Sequence, residues 1–189
     1  MMTHRQALEV VAGHRGRRVV VTTMTSVAEW PALSDTPLDF AYLPSAMGEA
    51  PALGLGLALA RPGRGVIVLS GEGSLLMNLG SLVTLAAQPA EVCLLILDNG
   101  LYEVTGGQAT AGTGRADFAA LARGAGIGRV YACEDLAAWK AVAAEALAGP
   151  GPVVVWLKVE GRLGQQTPKA PRTMAEQIRR LRHALGVQP

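Results

Sequence analysis

The chain has 189 residues, half of them hydrophobic, and a mean hydropathy of +0.28. That length suits one domain, or one domain with a tail, and the composition excludes a disordered chain. The formal net charge of +2 is too small to point to nucleic acid. Only 17% of residues are charged, so a partner is expected to cover some apolar surface.

Residues 1–18 are polar and basic and lack the apolar stretch of a secretory signal. Residues 19–22 form a β-branched run that reads as a strand, 27–33 as a short helix and 39–43 as a second strand. Residues 46–60 are rich in Gly, Ala and Leu and stop at Arg61-Pro62-Gly63. This helix-like run is far shorter than the roughly 20 residues of a membrane span. Its small side chains suit a close contact with another subunit. Residues 66–70 read as a strand buried on both faces. A helix is expected from the turn Gly71-Glu72-Gly73-Ser74 to residue 87. Residues 92–97 form another buried strand, ending in Asp98-Asn99-Gly100.

Residues 101–115 are glycine-rich and aperiodic and read as a loop of functional length. A helix over 117–123, a strand over 129–131, a helix over 135–147 and a strand over 153–159 follow. From Glu160 onward the chain carries six Lys or Arg and two acids, and Met174, Ile178, Leu181 and Leu185 share one face of a final helix. The expected division is therefore a domain over 1–160 and a C-terminal extension over 161–189. Cys93 and Cys133 form no close pair and read as reduced core thiols of a cytoplasmic protein.

Alternating strands and helices predict an α/β fold, three layers (α/β/α) around a parallel six-stranded sheet. In such sheets ligands bind beyond the carboxyl ends of the strands, where both Gly/Asx-rich turns sit. Glycines between a strand and a helix admit a close ligand, and helix N–H groups favour an anion. Glu72 would oppose a bare phosphate unless a cation lay between them. A hard divalent ion fits, and Asn99 offers it a neutral oxygen. Gly54-Leu55-Gly56 lies inside a helix-like run, which argues against nucleotide binding there. The three histidines lie near the chain ends and no Gly-x-Ser-x-Gly elbow occurs, which argues against a hydrolase.

Gly71-Glu72-Gly73, a spacer, and Asn99 at a strand end resemble the diphosphate and metal motif of thiamine diphosphate enzymes. Ser45-Ala46-Met47-Gly48 resembles the segment that cradles the cofactor pyrimidine, and Thr22-Thr23-Met24-Thr25-Ser26 the first diphosphate loop. Residues 71–82 and 98–108 are most similar to the small subunits of sulfopyruvate and phosphonopyruvate decarboxylases.

The resemblance implies that Glu72, Asn99 and the Leu101 carbonyl ligate Mg²⁺. It also implies that Gly71, Gly73, Ser74, Thr25 and Ser26 hold the diphosphate of thiamine diphosphate. Ser45 and Met47 would hold the aminopyrimidine, with Met47 bending the cofactor. The metal carboxylate of the family is normally Asp. Glu72 is one methylene longer, which moves the carboxylate by roughly 1.5 Å.

The family's activating glutamate sits on a pyrimidine domain, expected here on a separate subunit of a hetero-oligomer. Glu49 reads as a first-turn acid. Glu103 is open between facing substrate and facing solvent, and Arg115 reads as a solvated charge. The implied activity is decarboxylation of a small 2-oxo acid. A noncatalytic cofactor-binding or scaffolding subunit and an acetolactate synthase-like acyl transfer remain as alternatives. No nucleic acid or membrane partner is expected.

Overall fold

The computed structural model describes residues 1–187. It opens with α1 (His4–His14), a helix that the polar composition of 1–18 does not announce. Its signal is a capping box: Thr3 Oγ1 accepts from the Gln6 amide at 3.1 Å, and Gln6 Oε1 accepts from the Thr3 amide at 3.0 Å. β1 (Val19–Thr22) leads to α2 (Thr25–Glu29) and a 3-10 turn at Trp30–Ala32. The helix expected over 27–33 thus starts two residues earlier and tightens where Pro31 removes a donor. β2 (Asp39–Ala41) stops short of residue 43, ahead of Pro44. α3 (Ala50–Ala60) begins at 50 rather than 46, with Pro51 in its first turn.

β3 (Val66–Gly71) runs directly into α4 (Glu72–Leu76), and α5 (Gly80–Ala86) follows. The single helix expected to residue 87 is therefore two. Asn78 and Gly80 are poor helix formers, and the Ser81 hydroxyl donates to the Asn78 carbonyl at 2.8 Å across the break. After β4 (Val92–Asp98), the segment expected as loop contains a small antiparallel hairpin, β5 (Leu101–Tyr102) and β6 (Gln108–Ala109). The chain ends with α6 (Phe118–Gly124), β7 (Arg129–Cys133), α7 (Leu136–Ala148), β8 (Val153–Lys158) and α8 (Met174–Ala184).

The main sheet has six strands in the order β2-β1-β3-β4-β8-β7, and every neighbouring pair is parallel. Alternate residues along each strand face opposite layers. Val20, Ile67, Leu69, Leu95 and Val155 pack with α1 and α7. Val21, Val66, Val68, Leu94 and Val154 pack with α3, α5, α6 and α8. The expected three-layer architecture is present.

Burial pushes the Cys93 thiol up to about 12 and the Cys133 thiol to about 11, so both are inert core groups. α8 covers the β2 edge, where Gln177 Oε1 accepts from the Ala41 amide at 2.7 Å. No helix among the described residues is long and apolar enough to cross a membrane.

One face of α3 packs its small residues on this chain's own sheet, while Ala52, Gly56 and Leu59 on the other face are exposed. Ala50, Gly54 and Ala58 are buried, and a Cβ at Gly54 would lie 2.4 Å from Val68 Cγ2. Val68 is fully buried in β3 and β-branched, so it cannot swing aside. Gly54→Ala is expected to lower stability by about 1–3 kcal/mol, read as a lower urea midpoint.

Candidate functional site

The strand order reverses direction between β1 and β3: β1 leads outward to β2, and β3 leads the other way to β4. A crevice at the carboxyl ends of the strands is expected at such a point. A half-open cleft lies there, walled by the segments that follow β1, β3 and β4.

Thr25, Ser26, Met47, Gly71, Glu72, Gly73, Ser74, Asn99 and Leu101 all line the cavity. Ser45 is not among the lining residues; its Oγ is buried without a hydrogen-bond partner. Local chain logic explains the grouping. β3 ends at Gly71, which takes an extended conformation as N-cap of α4, so Glu72, Gly73 and Ser74 form the first turn. Gly73 is required by packing, because a Cβ there would lie 2.7 Å from the Tyr102 ring. The Ser74 hydroxyl accepts from the Gly48 amide at 2.9 Å and ties the Met47 segment to α4. Gly100, at φ 73, turns the chain after Asn99. Asn99 Oδ1 accepts from the Leu101 amide at 2.9 Å, which sets the turn that carries Leu101. Met24, at the head of α2, has φ 44, a strained conformation on the cavity wall.

Glu72 is the electrostatic centre. It is 1% exposed, its Oε2 accepts from the Asn99 amide at 3.4 Å, and its Oε1 is buried without a partner. Burial first, and the nearby Asp98 charge second, push its carboxyl up to about 7. Asp98 is compensated from the other side, by Lys158 Nζ at 2.6 Å and Trp156 Nε1 at 2.8 Å. The carboxylate of Glu72, the amide oxygen of Asn99 and the carbonyl of Leu101 are hard oxygen donors of the kind Mg²⁺ or Ca²⁺ takes, and all three residues line the cavity. Glu72 and Asn99 thus lie side by side.

Two residues with no assigned role in the sequence reading also reach the site. His4, set near a terminus, lines the cavity from α1. Glu103 is 5% exposed and lines the cavity, hydrogen-bonded to Thr25 Oγ1 at 2.7 Å and to the Arg162 amide at 2.7 Å. Glu49 accepts from Asn78 Nδ2 at 2.9 Å, and Arg115 is exposed and outside the cavity wall.

A parallel sheet with a crevice at its switch point, entered by a Gly-rich helix start, is the architecture of α/β domains that bind phosphorylated organic cofactors. The chain belongs to the thiamine pyrophosphate enzyme family, whose C-terminal TPP binding domain matches residues 25–157.

The chain is 42% identical over 178 residues to the phosphonopyruvate decarboxylase of Streptomyces viridochromogenes, covering 93% of this chain and 44% of that protein. It is 36% identical over 162 residues to the sulfopyruvate decarboxylase subunit beta of Methanothermobacter thermautotrophicus, covering 85% of this chain and 83% of that subunit. The thiamine diphosphate-dependent 4-hydroxybenzoylformate decarboxylase of Rhodococcus jostii shares the fold, with a TM-score of 0.66 at 21% identity over 87% of this chain and 33% of that one. The chain thus spans less than half the length of the Streptomyces relative and most of the length of the archaeal subunit.

Proposed function

We propose that this chain is the diphosphate- and metal-binding subunit of a thiamine diphosphate-dependent 2-oxo acid decarboxylase of the sulfopyruvate and phosphonopyruvate type. The observation that carries this reading is Glu72, whose Oε1 is buried without a partner, in the wall of a cavity it shares with Asn99 and Leu101. Glu72, Asn99 and the Leu101 carbonyl would hold Mg²⁺. The metal would replace the proton that burial otherwise drives onto Glu72. Gly71, Gly73 and Ser74, at the start of α4, and Thr25 and Ser26 on α2 would hold the diphosphate. Met47 would pack beneath the cofactor, with Ser45 in the same segment. When bound, thiamine diphosphate supplies the electron sink for loss of CO₂ from a 2-oxo acid.

This chain's residues orient the diphosphate and exclude water from its cation. Proton chemistry at the pyrimidine is placed on a second subunit that carries the pyrimidine domain. The relation in length to the Streptomyces relative and to the archaeal beta subunit supports that division. We take residues 1–160 as the cofactor domain and 161–189 as the extension. A reducing cytoplasm suits the two free buried thiols.

Calorimetry tests the reading. Thiamine diphosphate titrated into the chain should give saturable heat with Mg²⁺, and none with a chelator. A flat titration in both Mg²⁺ and Ca²⁺ would overturn it.

A further inference from the structure

Glu103, like Glu72, is a buried acid in the cavity wall, but its bonding is the reverse. Both of its oxygens have donors. Oε1 accepts from the Arg162 amide at 2.7 Å, and Oε2 accepts from the Thr25 hydroxyl at 2.7 Å. The Arg162 guanidinium adds its charge, with Nε 3.7 Å from Oε1. A carboxylate so supplied leaves no oxygen in want of a cation.

The turn that carries Glu103 is closed on itself and held from outside. The Tyr102 carbonyl accepts from the Thr105 amide at 3.2 Å and from the Gly107 amide at 2.9 Å. Gly106 and Gly107 take φ 135 and 73, values that glycine adopts without strain. From the C-terminal extension, Thr167 Oγ1 donates to the Val104 carbonyl at 3.2 Å, and the Arg162 amide holds Glu103 itself. A segment beyond the matched residues 25–157 therefore keeps Glu103 against Thr25.

A hydroxyl has one proton to give, and Thr25 gives it to Glu103. The oxygens of a diphosphate are acceptors and need donors of their own. Thr25 begins α2, the helix that follows β1 into the cavity. A second anion brought to that hydroxyl would also lie beside the carboxylate, where burial strengthens the repulsion. Carboxylate and diphosphate cannot share this donor.

We propose that Glu103 is a built-in competitor of the diphosphate, whose carboxylate takes the Thr25 hydroxyl and has to be displaced when the cofactor binds. The inference rests on the cofactor reading above, in which Thr25 holds the diphosphate. It gives the acid of the β5–β6 turn, and the extension that holds it, control over how tightly the cofactor is kept.

The test is calorimetry of thiamine diphosphate with Mg²⁺ on the full chain. Melting curves without ligand confirm that each variant is folded at the titration temperature. Glu103→Gln removes the charge, keeps the shape and leaves one oxygen for the Arg162 amide. It should tighten binding about tenfold, and Glu103→Ala should also tighten it. Thr25→Val should weaken binding less than about twofold in the unmodified chain, where forming one bond costs another, and about tenfold in the Glu103→Gln background, where the hydroxyl is released.

The sign of the Glu103→Gln effect separates competition from support, since a carboxylate that oriented Thr25 for the cofactor would give weaker binding when neutralised. Unchanged or weaker binding in the folded variants, or an equal effect of Thr25→Val in both backgrounds, overturns the competition and leaves the cofactor reading standing. A silent titration with the unmodified chain and with both Glu103 variants overturns both.

Discussion

Glu72→Gln is expected to raise the melting point of the ligand-free chain at pH 8 while abolishing its Mg²⁺-dependent binding of thiamine diphosphate. The two effects have one cause. Glu72 is buried and its Oε1 has no partner, and burial together with the Asp98 charge raises its carboxyl from 4.5 to about 7. The folded chain therefore keeps this proton over a range in which the unfolded chain has lost it. The associated stability is fully present below about 4.5 and is lost as pH rises through about 7.

A gap of that size corresponds to about 3 kcal/mol of destabilisation by the ionised group above neutral pH. The amide of Glu72→Gln never ionises. It leaves one buried amide donor poorly matched, so the net gain at pH 8 is about 2 kcal/mol. At pH 5 the gain should vanish. Melting curves at both pH values in a chelator give the stability effect, and calorimetry gives the binding effect. A variant less stable than the unmodified chain at pH 8 would show that the carboxylate is satisfied in the folded chain. The site would then not be strained in favour of a cation. Stability given up at a single buried acid is what a ligand site costs when its ligand supplies the missing charge.

The second large effect is on the opposite layer. Trp139→Ala should destabilise the fold by about 3–5 kcal/mol, the cost of emptying the volume of a large buried ring. Trp139 is fully buried on α7, and its Nε1 donates to the Ala7 carbonyl of α1 at 3.1 Å. The indole is thus both the packing and the polar tie between the two helices of that layer. Removing it frees α1, and α1 carries His4 to the cavity. The loss should appear as a lower urea midpoint and as faster hydrogen exchange at Val10 and Val11, both buried on α1. Affinity for the cofactor should fall with it. Trp139→Phe keeps most of the volume and loses only the N–H bond, so it should cost about 1 kcal/mol. Unchanged exchange along α1 in Trp139→Ala would refute the coupling.

Particular residues show how far local pattern carries. Glu72 and Asn99 were legible because each sits where a β-branched or apolar run stops and a Gly-bearing turn begins. Those signals lie within a few residues of one another. α1 was missed because its apolar residues are interrupted by His, Arg and Glu, and only the Thr3–Gln6 capping pair marks its start. The break between α4 and α5 was missed because Asn78 and Gly80 weaken a helix without forbidding it. The β5–β6 hairpin was missed because two-residue strands carry no period to detect. That Ala50, Gly54 and Ala58 of α3 pack on the sheet was not legible, because small side chains do not state which surface they meet.

The alternation of strand and helix runs, together with the two turns at strand ends, determined from sequence alone the parallel sheet, the end of it that carries the crevice, and the Glu72–Asn99 pair. These follow from short-range periodicity and backbone preference, which each segment carries by itself. Tertiary structure alone decided that Glu72 is buried near Asp98, that Gly54 meets Val68, and that His4 reaches Ser26 and Arg162 reaches Glu29 and Glu103. Glu29 meets His4 across 25 residues of sequence and Arg162 across 133. Burial and pairing belong to neighbours in space, and no local pattern records which distant segment will supply them.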